Sequence, residues 1–136
     1  MLARLDVARA VEGAGGDAIV AVNTVKAMAI SVEARRPVLF NRPGGLSGPA
    51  IKAVGLRCVY ELYEAVDIPI IGVGGAETSR DVLEYLMAGA RAVQIGSGVG
   101  RKGLGVFQAA CGGLIRYLEE NGFSSPSDIV GVAHVQ

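Results

Sequence analysis

Three short apolar runs, broken only by Gln94 in the third, each end in glycine or small polar residues, and amphipathic stretches separate them. The runs are residues 18–22, followed by Asn23 and Thr24; residues 69–73, followed by Gly74 and Gly75; and residues 92–95, followed by Gly96 and Ser97. Strands that are apolar along nearly their whole length, alternating with helices, predict parallel pairing with both sheet faces covered. The spacing of roughly 25 to 30 residues per unit matches the βα repeat of a (β/α)8 barrel.

Helical periodicity fills the intervals. Leu2, Leu5, Ala8 and Val11 recur on one helical face, and Gly15-Gly16 stops that helix. A second helix is predicted from Pro49, a residue suited to the first helical position. Ile51, Val54, Cys58, Leu62 and Val66 form its buried stripe. Thr78 with Asp81 makes a capping pair that opens a third helix through Val82, Leu83, Leu86 and Met87, closed by Gly89. The last helix covers residues 106–121, with Phe107, Cys111, Leu114 and Leu118 on one face and Gly122 as its stop. Residues 25–47 lack clean periodicity. Within them, residues 37–40 read as a short strand and Pro43-Gly44-Gly45 as a turn.

A complete barrel of this kind needs about 250 residues, and this chain has 136 with about three strands. Three parallel strands leave two unpaired edges and an apolar inner surface, both liabilities in water. The chain therefore reads as one partial barrel domain over residues 1–136, completed by a missing half or by self-association. A complete three-strand α/β domain is the alternative.

Composition removes several function classes. Thirteen basic and thirteen acidic residues cancel, so no charge field points to nucleic acid or a membrane surface. No apolar run reaches the ~18 residues of a membrane span. Arg4, Asp6 and Arg9 interrupt the amino-terminal pattern, unlike a signal peptide. A soluble cytoplasmic protein is expected. The two cysteines, Cys58 and Cys111, are far apart and lie in helical patterns, and His134 is the single histidine. That spacing predicts no metal site and two thiols packed as small core residues.

Glycine is the anomaly: 20 residues of 136 is about double the ordinary share. The glycines cluster beside the predicted strand ends, where ligands of parallel α/β folds bind. Gly74-Gly75 and Gly96-Ser97 expose backbone N–H groups after consecutive strands, an arrangement suited to phosphate. Asn23 offers both donor and acceptor and Thr24 a hydroxyl, a pair matching a planar, doubly amidic ligand such as a pyrimidine. Gly44-Gly45-Leu46-Ser47-Gly48-Pro49 permits close approach of main chain to a flat ligand ahead of a helix. Arg101 and Lys102, just beyond Ser97, either help neutralise a phosphate or face water.

These segments resemble dihydroorotate dehydrogenases of class 1. The resemblance runs through Asn23-Thr24-Val25-Lys26-Ala27-Met28-Ala29-Ile30, then residues 44–52, 70–75 and 90–97, and continues into Tyr117-Leu118-Glu119-Glu120-Asn121-Gly122-Phe123 and Gly131-Val132-Ala133-His134. It is nearest the subgroup that uses NAD through an iron–sulfur flavoprotein subunit. It implies an α/β fold that is the carboxy-terminal half of a (β/α)8 TIM barrel. It also implies flavin mononucleotide (FMN) as cofactor and oxidation of dihydroorotate to orotate in pyrimidine synthesis. Carried over by position, Asn23 and Thr24 would bind the pyrimidine, and Val22, Ser47 and Gly48 would lie against the flavin. Gly74, Gly75, Gly96 and Ser97 would hold its phosphate.

Ser97 stands where the family often has threonine, and keeps the hydroxyl. Ala76-Glu77 departs from the family's apolar and small polar pair. The family's general base, a loop cysteine or serine, has no match in Cys58 or Cys111, and Lys26 and Lys52 lie outside its lysine motif. No catalytic residue is assigned in this segment, and the chain alone is expected to bind flavin weakly and turn over little. The competing readings are another phosphate-binding or flavin TIM barrel, and a non-catalytic half-barrel that acts by association.

Overall fold

A computed structural model describes residues 5–135. The helical pattern at Leu2 lies outside the described residues; from Leu5 the chain forms α1 (Leu5–Gly13). It then runs into β1 (Ile19–Ala21), β2 (Val25–Ala27), β3 (Ile30–Ser31), β4 (Arg36–Pro37) and β5 (Gly44–Leu46). A 3-10 turn (Pro49–Ile51) leads into α2 (Lys52–Tyr63), followed by β6 (Ile70–Val73), α3 (Ser79–Met87) and β7 (Ala90–Gln94). The short α4 (Ser97–Lys102) and the long α5 (Gly105–Asn121) complete the order, with 3-10 turns at Pro126–Ile129 and Val132–His134.

β1, β6 and β7 form the expected parallel sheet in the order β1-β6-β7. Its cover differs from the expectation. Ala21, Ile70 and Ala90 join Ala8, Val59, Leu62 and Tyr85 in one core, so all the helices that seal it lie on one face. On the other, Val20 is 54% exposed, and Ala92 and Gln94 are exposed too. Apart from Gln94, the apolar runs therefore continue because the second face is largely apolar as well, not because helices of the described residues cover it.

Tyr85 organises that core. It is wholly buried, its ring fills the space a Cβ on Gly72 would need, and its hydroxyl does the same at Gly55 of α2. Gly55 thus marks the packed face of α2, together with Ile51, Cys58, Val59, Leu62 and Val66. Val54, expected in the stripe, is instead 37% exposed. The same rotation applies to α5, where Val106, Ala110 and Leu118 are buried but Phe107 and Cys111 are exposed. Both faces of α5 carry apolar residues, so periodicity alone could not choose between them. Of the two thiols only Cys58 packs inside.

Local signals mark the element ends. Thr78 and Asp81 form a reciprocal capping box at α3, and Gly122 takes the left-handed conformation after α5. At α1, Glu12 Oε1 accepts from the N–H groups of Asp67 and Ile68 at 2.6 and 3.1 Å, which anchors the approach to β6. A second core of Leu86, Leu118 and Ile129 joins α3, α5 and the carboxy-terminal turns. His134 stacks on Tyr60 with ring centroids 3.7 Å apart, a packing role.

Residues 22–48 form an excursion of two small antiparallel ladders, β2 with β5 and β3 with β4. The strand expected at residues 37–40 ends at Pro37, and Phe40 is fully exposed. Two short ladders with no shared core explain why this stretch lacked periodicity.

Candidate functional site

The carboxyl ends of β1, β6 and β7 converge, and the excursion folds back onto them. Pairing of β2 with β5 sets Val25 opposite Leu46, which returns Ser47 and Gly48 to the end of β1. Gly45 makes the return possible, because the Thr24 side chain occupies the place of its missing Cβ. Val22 continues beyond β1, where its N–H donates to the Val73 carbonyl at 2.7 Å.

Gly48, Gly74, Gly75 and Ser97 come together at this junction. A Cβ on Gly75 would stand 2.6 Å from the Gly48 carbonyl oxygen and 3.0 Å from Lys52 N. Gly75 also has φ +73°, a left-handed conformation that disfavours any side chain. A Cβ on Gly74 would meet Val22 Cγ2 at 3.4 Å, and one on Gly48 would meet Ser97 Oγ at 3.8 Å. Five of the sequence-predicted positions therefore touch or nearly touch. Gly96 adjoins them with open space around its missing Cβ. Among the described residues, the N–H groups of Gly75, Ala76, Gly96 and Ser97 donate to no backbone carbonyl.

Asn23 and Thr24 stand at the rim, both exposed, linked to the junction through Val22 and Gly45. Asn23 Oδ1 accepts the Thr24 N–H at 2.7 Å, which commits the amide oxygen locally. Its amide nitrogen has no partner among the described residues, and so remains a donor for a ligand. Ser47 is also exposed.

The turn after β6 is held from behind by groups the sequence did not single out. Tyr85 donates its hydroxyl hydrogen to the Gly74 carbonyl at 2.7 Å. Burial, with the Cys58 and Asp81 charges adding to it, pushes that phenol up to about 12. Asp81 Oδ2 accepts from Glu77 N, Thr78 N and Thr78 Oγ1 at 2.8 to 3.0 Å, and Oδ1 from Lys52 Nζ at 2.7 Å. Burial alone would raise this carboxyl; the Lys52 ammonium and the Glu77 and Thr78 donors outweigh it and hold it below its ordinary value. Lys52 is raised in turn by its bonds to Asp81 and then Glu84, the latter also at 2.7 Å. Its ammonium is thus engaged in scaffolding rather than offered to a ligand. The signal for Tyr85 was present at Gly55 and Gly72, two glycines inside regular elements where no turn requires them.

Arg101 and Lys102 do not simply face water. Arg101 Nε lies 3.2 Å from Oε1 of the buried Glu77, and Lys102 Nζ donates to the Glu77 carbonyl at 3.0 Å. Cys58 and Cys111 both sit within helices, away from any loop, and burial pushes the Cys58 thiol up. Among the described residues no cluster of three or more His, Cys, Asp or Glu could hold a metal ion, and no helix is long and apolar enough to cross a membrane.

The sequence profile of a family described as dihydroorotate dehydrogenase matches residues 3–118. A relative from Methanocaldococcus jannaschii, named the catalytic subunit of dihydroorotate dehydrogenase B (NAD(+)), is 50% identical over 130 residues. The match covers 96% of this chain and 42% of that protein. A relative of the same name from Pyrococcus horikoshii is 52% identical over 124 residues, covering 91% of this chain and 41% of its own length. The chain thus spans about two fifths of the curated relatives it matches. Among solved structures, a ligand-free DHODH from Eimeria tenella superimposes with a TM-score of 0.81 at 28% identity, over 97% of this chain and 36% of the other.

Proposed function

The chain belongs to the dihydroorotate dehydrogenase family, and on that premise we propose that it is the carboxy-terminal half of a TIM-barrel enzyme that oxidises dihydroorotate to orotate. Flavin mononucleotide, when bound, supplies the hydride acceptor for that oxidation. The whole of residues 1–136 belongs to this one partial barrel domain, which works in the cytoplasm in pyrimidine synthesis.

The observation that carries the reading is the convergence of Gly48, Gly75 and Ser97 at the strand ends. A phosphate needs backbone donors close together with no side chains between them. Gly74, Gly75, Gly96 and Ser97 meet that need: among the described residues the N–H groups of Gly75, Gly96 and Ser97 donate to no backbone carbonyl, and Gly75 has no room for a Cβ. Val22, Ser47 and Gly48 border the flavin ring. Asn23 donates through its amide nitrogen to the pyrimidine and Thr24 adds its hydroxyl, which together orient the substrate against the ring. The proton removed during oxidation needs a general base. Neither thiol is placed for it, so these residues bind and orient, and the base comes from elsewhere in the enzyme. The name shared by the relatives, an NAD(+)-linked catalytic subunit, supports an iron–sulfur flavoprotein subunit as electron-transfer partner.

Titration of the purified chain with FMN, followed by flavin fluorescence, tests the cradle, and weak saturable binding without dihydroorotate turnover is expected. Turnover matching a full-length enzyme would refute the claim that the base lies elsewhere. In a completed barrel, Asn23→Ala should weaken orotate binding while sparing flavin. Unchanged orotate binding would remove the substrate assignment.

A further inference from the structure

Glu77 is out of character for its place. It is 7% exposed, and its Oε1 is buried without an aligned hydrogen bond. Arg101 Nε is within ion-pair distance of that oxygen at 3.2 Å, yet is not directed at it as a donor. A buried carboxylate oxygen left in this condition costs free energy and calls for an explanation. Glu77 also follows directly on Gly75 and Ala76, beside the candidate phosphate cradle.

Arg101 stands four residues after Ser97 in α4, and residues at that spacing share a helix face. Its side chain is 64% exposed, and its two Nη groups have no partner among the described residues. A guanidinium has donors on two edges in a rigid fork, so one edge can serve a carboxylate while the other serves a phosphate. Lys102 ties α4 to the same turn by donating to the Glu77 carbonyl at 3.0 Å. The three side chains Glu77, Arg101 and Lys102 sum to one positive charge, suited to an anion.

We propose that Arg101 is a ligand for the flavin phosphate and that Glu77 is the positioning residue that holds its guanidinium in place. The pair then sets discrimination between phosphorylated and unphosphorylated flavin. This rests on the reading of the glycine turns as a flavin phosphate cradle. Phosphate on one edge of the guanidinium would draw the other edge into alignment with Glu77 Oε1, giving that buried oxygen the donor it lacks.

The test is titration of the whole chain, and of its Arg101→Met, Arg101→Lys and Glu77→Gln variants, with FMN and with riboflavin. The Arg101 Nε–H resonance is followed in parallel. Arg101→Met should weaken FMN binding about tenfold or more and leave riboflavin within about twofold, the loss expected for a charge-assisted bond. Arg101→Lys, which keeps the charge without the fork, should fall between. Glu77→Gln should weaken FMN by about threefold, less than loss of Arg101, because it acts only through orientation. In the parent, FMN but not riboflavin should shift the Nε–H resonance. Equal losses for both flavins, or an unmoved resonance, would reduce the pair to a structural staple and overturn the proposal. Tighter FMN binding in Glu77→Gln would show Glu77 to be a repelling charge and overturn its positioning role. A parent chain with no preference for FMN over riboflavin would overturn the cradle reading itself, and this inference with it.

Discussion

The two sides of the candidate site are built in opposite ways. The proposed phosphate side lies in residues 49–135, where β6 and β7 lie on a continuous core and the glycines are spaces filled by Tyr85, Lys52 and the Gly48 carbonyl. The proposed ring side lies in the excursion of residues 22–48, two small ladders whose apolar residues Met28, Ile30, Val32, Val38 and Phe40 are all more than half exposed. The difference assigns roles by stability. A phosphate cradle depends on backbone N–H groups fixed in advance, and the core fixes them. A ring and substrate rim of the proposed kind relies on side chains, and these rest on a sparsely buried part of the described residues.

The largest effect should follow from emptying the packed side. Tyr85→Ala removes a wholly buried ring and should cost about 3 to 5 kcal/mol by the measure of aromatic truncations in cores, read as a collapse of the melting temperature. Tyr85→Phe separates ring from hydroxyl. It leaves the Gly74 carbonyl without its donor and should cost about 1 to 2 kcal/mol. The phenol also has a pH signature. Because its folded value is pushed up from 10.0 to about 12, the folded state is favoured below pH 10 and loses that advantage as pH rises above it. The phenylalanine variant should lack this alkaline decline. If Tyr85→Ala melted like the parent, the contrast between the two sides would not stand.

Gly75→Ala should come next, and it acts on the site more than on the fold. With φ +73° and the Gly48 carbonyl 2.6 Å from the new Cβ, the turn must shift, at about 1 to 3 kcal/mol. Flavin binding should fall further than thermal stability does. A variant that bound FMN like the parent would show the turn to be an ordinary connection.

How much of this was legible follows the same divide. Gly74-Gly75 and Gly96-Ser97 stood out because strand, glycine and helix succeed one another within a few residues, and the Thr78–Asp81 capping box is equally local. Helix faces were harder: α5 has apolar residues on both sides, so Phe107 and Cys111 looked as eligible as Val106 and Ala110. Glu77, Arg101 and Lys52 were left open or passed over for a different reason. Their roles depend on partners 24, 25 or 29 residues away, and no period in the sequence encodes such a pairing. The excursion was least legible because its ladders bury too little to impose a pattern.

Asp81→Asn probes the electrostatic support behind the cradle, with a smaller effect. The carboxylate caps α3 and receives Lys52, so its replacement should cost about 1 to 2 kcal/mol at neutral pH. The sign of the pH dependence is fixed by the lowered folded value. The stabilisation is fully present above the ordinary carboxylate range and disappears as pH falls through the folded value. Melting curves of the parent and the variant should therefore draw together in acid. Curves that stayed parallel down to the acid limit would mean that Asp81 is held by its shape alone.

The smallest effect is expected where the contrast is sharpest. Phe40 is the largest apolar side chain of the excursion and is fully exposed. Truncation of a side chain that buries nothing removes no transfer free energy and opens no cavity, so Phe40→Ser should change stability by less than about 0.5 kcal/mol. The same logic makes the result discriminating. If the excursion were sealed onto the core in solution, Phe40 would be burying area, and its loss would lower the melting temperature of the chain at every concentration. If copies of the chain associated through this surface, the loss would instead appear only as the protein is concentrated, since association stabilises by mass action. A melt unchanged by the substitution and by concentration would leave the excursion as the structure has it: positioned by the ends of β1 and β5, and otherwise free of the core that fixes the proposed phosphate side.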